Sequence, residues 1–465
     1  MRALLLIHRY LGIAGGALMT SWCLSGFVMM YVAYPALSET RRMASLQPLA
    51  WSACPGAPKA LPDDPSAAFR IEMLGGRLVL AQDGSPRATL KDLCSGARIT
   101  RVSASDAEAV ATAYLGGKAA LSSSLIESDQ WTVSGQFAAE RPLYRFVARD
   151  ELHTELYVSS VSGRLVQVTT GRQRFWNWLG AIPHWLYLFE LRRHPAHWTA
   201  LVIGGSLLGG WLTLTGLGLG FLGVRGVLRR ASHSARRGHA WHHLSGLVFG
   251  GFTLSWLASG LLSMQPYGLL ESKPLDRHRV QGQPPSLRAL ASALQALSVS
   301  LSGNAFVSLE AQPSNGFPCF VAHAADGGSE RLNATGQSAP LTTRDWLMLA
   351  EQLGSPPPAL LTHEDSYWFA HHDQEVSLPA YRFTLPDTAG HTLYFDARTG
   401  ALEAQLDRNA RAYRWIDGLH RVDLLPAVRR RPFWDLLVLP LLGGVSVVCV
   451  TGAWLGYRGL FVRQR

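Results

Sequence analysis

HAWHHLSGLVFGGFTLSWLASG (residues 239–260) and HRYLGIAGGALMTSWCLSG (8–26) decide the fold. Each is an apolar run with a histidine at its polar edge, and His8 and His242 stand 234 positions apart. Four such stretches, 10–36, 198–224, 244–270 and 436–457, run for at least 22 positions without a charged residue. About 20 helical residues at a rise of about 1.5 Å cross a hydrocarbon core about 30 Å thick. The 465-residue chain is therefore expected to cross a membrane four times. The first run is longer than the apolar part of a secretory signal, and its near-copy lies in mid-chain, so it reads as a helix that is kept.

The expected order is transmembrane helix 4–34, outer domain 35–174, interfacial segment 175–195, helix 196–224, inner loop 225–239, helix 240–267, outer domain 268–411, interfacial segment 412–432 and helix 433–458. The inner loop carries Arg225, Arg229, Arg230, Arg236 and Arg237 and no acid. Short basic loops stay on the cytoplasmic side, whereas long domains cross regardless of charge. Both termini are thus expected inside and both large domains outside. The net charge of +10 fits such a membrane protein, and no basic tail or nucleic-acid motif accompanies it. Five cysteines without CxxC or CxxCH spacing indicate neither a zinc ribbon nor a covalently attached haem. Cys54 and Cys94 are free to pair if their segment is oxidised.

The likeness between the halves extends outside the helices. SASDAEAVATAYLG (103–116) is answered by LTTRDWLMLAEQLG (341–354), with Ser105 and Glu108, and Thr342 and Asp345, as capping pairs. RPLYRFVARDELHTELYVSSVSGRLV (141–166) matches LPAYRFTLPDTAGHTLYFDARTGALE (378–403), in which alternating apolar residues and SG or TG turns predict antiparallel hairpins. LTLTGLGLGFLGVRG (212–226) resembles VCVTGAWLGYRG (448–459). The fold class is therefore a bundle of four transmembrane helices with two α+β extramembrane domains, arranged as a tandem duplication.

A ligand needed by both halves should recur, and few of the sixteen histidines do. His8 matches His242, and His184 matches His420 at an offset of 236. His153 and His391 match only with a one-residue slip. At 100° per residue, Gly12, Gly15, Trp22 and Gly26 share the face of His8, and Gly246, Trp256 and Gly260 repeat that face beside His242. Glycines beside a histidine leave room for a flat macrocycle. The same glycines also suit plain helix contact. His184 and His420 lie in aromatic-rich segments about a dozen residues before the second and fourth helices, with His197 as a rival ligand. Two such pairs would hold one haem near each membrane surface, with Trp22 and Trp256 packed against the outer macrocycle or between the two. HEDSYWFAHHD (363–373) is a further candidate for metal binding or a solvated loop.

HRYLG with SWCLSG downstream, HHLSG, the LH before the last helix and LPAYRF…LYFDARTGALE together resemble the PepSY-associated transmembrane family of iron-regulated bacterial inner-membrane proteins, over nearly the whole chain. That resemblance implies PepSY-like periplasmic domains and two b-type haems held by histidine pairs. His8 and His242 would serve the cytoplasmic-side haem, and His184 and His420 the periplasmic-side one. It further implies a reductase that passes electrons across the inner membrane to a ferric siderophore or ferric chelate and releases iron as Fe(II). Its electrons would come from a cytoplasmic donor or the quinol pool. Pro183 stands where the family usually has leucine, and RRHPAHW (192–198) supplies His194 and His197 as alternatives. A membrane-anchored regulatory or interaction module without redox activity is the competing reading, and it leaves the recurring histidines unexplained. An importer would need acidic residues along a path through the membrane, and the four uncharged stretches hold none.

Overall fold

The computed structural model of the protein describes residues 2–54, 56–82, 88–117, 120–230, 237–276, 279–280, 282–314, 317–370 and 376–461. In chain order the helices are α1 (Arg2–Met29), α2 (Glu39–Met43), α3 (Ala104–Tyr114), α4 (Gly171–Leu179), α5 (Ala181–Trp185), α6 (Phe189–Arg192), α7 (Pro195–Arg230), α8 (Arg237–Ser263), α9 (Leu287–Ser300), α10 (Thr343–Leu353), α11 (Arg408–Arg421) and α12 (Phe433–Phe461). Four of them, α1, α7, α8 and α12, are long and apolar enough to cross a membrane. They close a ring in the order α1, α7, α8, α12. Small residues set the spacing. A Cβ on Gly16 would lie 3.4 Å from the Ala453 backbone, and Gly205 faces Leu18 and Trp22.

Outside the bundle lie three antiparallel sheets. β4 (Leu121–Ile126), β5 (Leu143–Ala148), β6 (Glu155–Ser159) and β7 (Leu165–Thr169) form one, in that order. β11 (Ala359–Leu361), β12 (Ala380–Thr384), β13 (Thr392–Asp396) and β14 (Leu402–Leu406) form another. The third joins the halves. β1 (Phe69–Leu74), β2 (Arg77–Gln82) and β3 (Thr89–Asp92) continue into β8 (Phe306–Ser314), β9 (Phe317–Ala324) and β10 (Ser329–Leu332), in the order β10-β9-β8-β1-β2-β3. Segments 35–174 and 268–411 are therefore not separate units, as the patterning leads one to expect. Alternation reports which face of a strand is buried, but not which strand lies along its edge.

At the junction Phe69 pairs with Ala311 and Glu72 with Ser308. Arg42, 2% exposed, bonds Glu72 at 2.8 Å and Glu39 at 2.6 Å. The Ser308 hydroxyl donates to the same Glu72 carboxylate at 3.1 Å. Burial alone would raise the Glu72 pKa, but the Arg42 and Arg70 guanidiniums outweigh it and hold the carboxyl at about 2. A pair this buried costs more to break than it contributes while intact, so it favours keeping the halves joined.

Caps follow the sequence with one shift. Thr342 and Asp345 form the reciprocal box that opens α10, whereas α3 starts on Ser103, which accepts from the Asp106 N–H, two residues earlier than the Ser105 and Glu108 pairing. Either serine satisfies the free N–H groups of a first turn. Cys54 and Cys94 are joined by a disulfide.

The loose pair His153 and His391 separates. His153 is exposed at a turn with φ of 50°. His391 is buried, its Nδ1 2.5 Å from Asp387 Oδ2 and its Nε2 2.9 Å from the Lys273 carbonyl. Both partners only accept, so the ring carries two hydrogens and a positive charge. Burial alone would lower its pKa, but the Lys273 carbonyl and Asp387 outweigh burial and raise it. In the first half Thr154 takes this place, donating its N–H and hydroxyl to Asp150 at 2.8 and 2.6 Å. His391 thus contributes stability that is complete below its unfolded pKa of about 6.5 and is lost as pH rises through the raised folded value. Thermal melts of the detergent-solubilised protein from pH 5 to 9 should decline at the alkaline end, and His391→Thr should flatten that limb. An unchanged limb in the variant would show that another group causes it.

Candidate functional site

The four recurring histidines meet as two pairs inside the bundle. His8, on α1, and His242, on α8, face one another with ring centres 6.2 Å apart. His184, on α5, and His420, on α11, do the same at 6.3 Å. The second pair is carried by short helices that end alike, each with a left-handed residue two positions beyond its histidine, Leu186 (φ 52°) and Val422 (φ 59°). Those turns send the chain onward into the next long helix, and an indole from that helix locks each turn in place. Trp198 donates to the Trp185 carbonyl and Trp434 to the Arg421 carbonyl, both at 2.8 Å.

Every ring rests on a carbonyl of a neighbouring long helix. His8 Nδ1 lies 3.1 Å from the Leu212 carbonyl, and His242 Nδ1 3.1 Å from that of Val448. His184 Nδ1 lies 3.0 Å from the Trp22 carbonyl, and His420 Nδ1 3.1 Å from that of Trp256. A carbonyl only accepts, so Nδ1 carries the hydrogen in each neutral ring and Nε2 keeps a bare lone pair. Among the described residues no hydrogen bond reaches any of the four Nε2 atoms. Burial, with His420 alongside, pushes His184 down to about 4, and burial lowers His420 as well. Each pair therefore brings together two imidazoles whose Nδ1 atoms are satisfied by helix carbonyls and whose Nε2 atoms keep a lone pair.

An apolar cavity of about 480 Å³ opens on the flank of α8. It runs from Leu217, which follows the residue touching His8, to Trp256, whose carbonyl holds His420.

Several sequence expectations are redistributed. Gly12 and Gly15 do not leave a slot beside His8 but pack toward Leu212 and Leu208 of α7. Gly26 and Gly260 instead lie beside His184 and His420, and Gly246 faces open space. Trp22 and Trp256 serve the second pair through their backbone carbonyls, and the Trp22 indole packs on Gly205. His197 is exposed against His194, with ring centres 5.8 Å apart, so His184 and not His197 faces His420. In the 363–373 stretch Asp365 binds Arg382 and Tyr394, His363 contacts Thr362, and His371, His372 and Asp373 lie outside the described residues. Among the described residues no cluster of three or more histidine, cysteine or acidic side chains could hold a metal.

What the sequence reading passed over is where the rings rest. LTLTG (212–216), VCVTG (448–452), WCLSG (22–26) and WLASG (256–260) share a hydroxyl residue followed by glycine, one on each long helix. Four occurrences at matched positions were a usable signal. The glycine has a steric reason, since a Cβ on Gly216 would lie 2.8 Å from His8 Cε1, and one on Gly452 2.9 Å from His242 Cε1.

Compared with known proteins, the chain matches no family model and no curated protein.

Replacing a mid-helix glycine by alanine ordinarily stabilises by about 0.5–1 kcal/mol, whereas forcing a methyl into a filled site costs about 1–3 kcal/mol. Gly216→Ala and Gly452→Ala should therefore lower the melting temperature of the purified protein. Gly12→Ala, whose Cβ would have 3.7 Å of clearance to Leu212, should not. Equal behaviour of all three would refute the packing of the rings on these glycines.

Proposed function

We propose that the protein is a di-haem b-type reductase of a bacterial inner membrane, built on a tandem duplication, which passes electrons to a ferric siderophore or other ferric chelate in the periplasm. One observation carries the reading: two pairs of imidazoles, one ring of each pair from each half, with Nδ1 on a carbonyl and Nε2 free of hydrogen bonds among the described residues. The ring centres stand 6.2 and 6.3 Å apart, a spacing compatible with one metal ion shared by each pair. Two part-buried imidazoles in each pair, held by Nδ1 and with Nε2 left to a metal, are a donor set that fits the group.

His8 and His242 would hold the cytoplasmic-side haem, and His184 and His420 the periplasmic-side one. The haems would supply one-electron chemistry through their irons. The chain's own part would be to hold four neutral imidazoles in two pairs through their Nδ1 hydrogen bonds. Giving one electron to a ferric chelate labilises the iron, because hard oxygen ligands suit Fe(III) far better than Fe(II). Electrons would arrive from a cytoplasmic donor or the quinol pool, past the basic inner loop. The resemblance to the PepSY-associated reductases supports this reading. So does the Cys54–Cys94 disulfide, which suits an oxidising compartment for the outer domains.

The purified protein should show a Soret band and the α and β bands of low-spin haem on reduction, with two haems per chain. His8→Ala or His242→Ala should remove about half of the haem, His184→Ala or His420→Ala about the other half, and His197→Ala none. A colourless protein would overturn the reading in favour of a regulatory or interaction module.

A further inference from the structure

Each Nδ1 has a second partner that the haem reading does not use. His8 Nδ1 lies 3.1 Å from Thr215 Oγ1 and His242 Nδ1 3.2 Å from Thr451 Oγ1. His184 Nδ1 lies 3.2 Å from Ser25 Oγ and His420 Nδ1 3.1 Å from Ser259 Oγ. The hydroxyl always stands three residues after the residue whose carbonyl holds the same ring, so one helical turn offers two oxygens to one N–H.

The direction of these contacts follows from counting hydrogens. A hydroxyl has one, and each of these is committed to its own helix. Thr215 donates to the Trp211 and Leu212 carbonyls at 2.9 Å, and Thr451 to Val447 and Val448 at 2.5 and 3.1 Å. Ser25 donates to Trp22 at 3.0 Å, and Ser259 to Ser255 and Trp256 at 2.8 and 3.1 Å. What each hydroxyl turns toward the imidazole is therefore a lone pair. The N–H of every ring is shared between a carbonyl and a hydroxyl that are themselves hydrogen-bonded, and such chains polarise one another.

We propose that Ser25, Thr215, Ser259 and Thr451 are positioning residues for the four axial histidines, fixing each ring's tautomer and raising the electron donation of its Nε2. The inference rests on the haem reading and adds to it a control of potential. An imidazole that donates its N–H more strongly is a more basic ligand and favours ferric over ferrous iron. The hydroxyls therefore hold both centres at lower potential than carbonyls alone would, which suits donation to a ferric chelate. Each residue sits on a different long helix from the histidine it serves, so no helix can shift without disturbing a ring it does not carry.

Redox titration followed by visible spectroscopy tests this on the full-length protein. In the Thr215→Val, Thr451→Val double variant the cytoplasmic-side component should move to higher potential with haem content kept, and Thr→Ser at both positions should restore it. Ser25→Ala with Ser259→Ala should move only the other component. Loss of haem in the valine variant that the serine variant retains would also support the role. Both potentials unchanged at full haem content, or equal loss in valine and serine variants, would overturn it. A wild type without haem would overturn this inference together with the reading beneath it, whereas a coloured wild type with indifferent variants would overturn this inference alone.

Discussion

The bond from each histidine Nδ1 to a helix carbonyl is the constraint on which the rest depends. A polar side chain in a dry bundle must be hydrogen-bonded or it costs several kcal/mol. Backbone carbonyls inside a helix are normally spent on that helix, yet an oxygen with two lone pairs can take a second donor. By lodging on such an oxygen, each imidazole satisfies one nitrogen within the protein and leaves the other without a hydrogen bond among the described residues. The left-handed turns after His184 and His420, and the indoles that hold those turns, serve the same bond by bringing two rings in from outside the long helices.

How much of this could be read in advance depended on how local each cause is. Four helices were legible because length and the absence of charge are properties of a single stretch. The histidine pairs were legible because a repeat offset sorts recurring residues from the rest, and the recurring ones lie together, His8 by His242 and His184 by His420, while His197 lies by His194. The edge between β1 and β8 was not legible, since strand alternation is silent on neighbours. Nor were the oxygens under the rings, because the pattern that marks them, a hydroxyl residue then glycine, looks like ordinary small-residue helix packing until the ring above it is known. Gly12 and Gly15 misled for the same reason. They share the face of His8, but helix α7 fills the space they leave.

Geometry is kept between the halves while chemistry is not. At an offset of 236, Trp178, Trp185 and Tyr187 correspond to Arg414, Arg421 and Asp423. Around His184 the turn is held by aromatic edges, with Trp185 and Tyr187 centres 5.3 Å apart. Around His420 it is held by ions, with Asp423, 2% exposed, 3.3 Å from Arg414 and 3.7 Å from Arg421. The seam between α1 and α12 brings Cys23 and Cys449 to 3.5 Å, where the matching seam has Leu257 and Thr213. Equivalent rings of one pair, His184 and His420, therefore sit in unlike local fields, one among aromatic edges and one among buried ions.

A pair that takes one ring from each half is only as precise as the docking of the halves. Four structures share that task at different heights. The α1 and α12 seam closes the bundle through Gly16 and Ala453. Arg431, from the segment entering α12, donates to the Met30 carbonyl at the end of α1. β1 and β8 then continue the union outward as one sheet. Arg42 and Ser308, from opposite halves, converge on Glu72 in the middle of it. Had the outer domains been independent, thermal motion of each would have reached the rings through α5 and α11, whose histidines lie only one turn from a chain reversal. Fusing the sheets removes that freedom, so the six-stranded sheet does for the His184 and His420 pair what the helix ring does for His8 and His242.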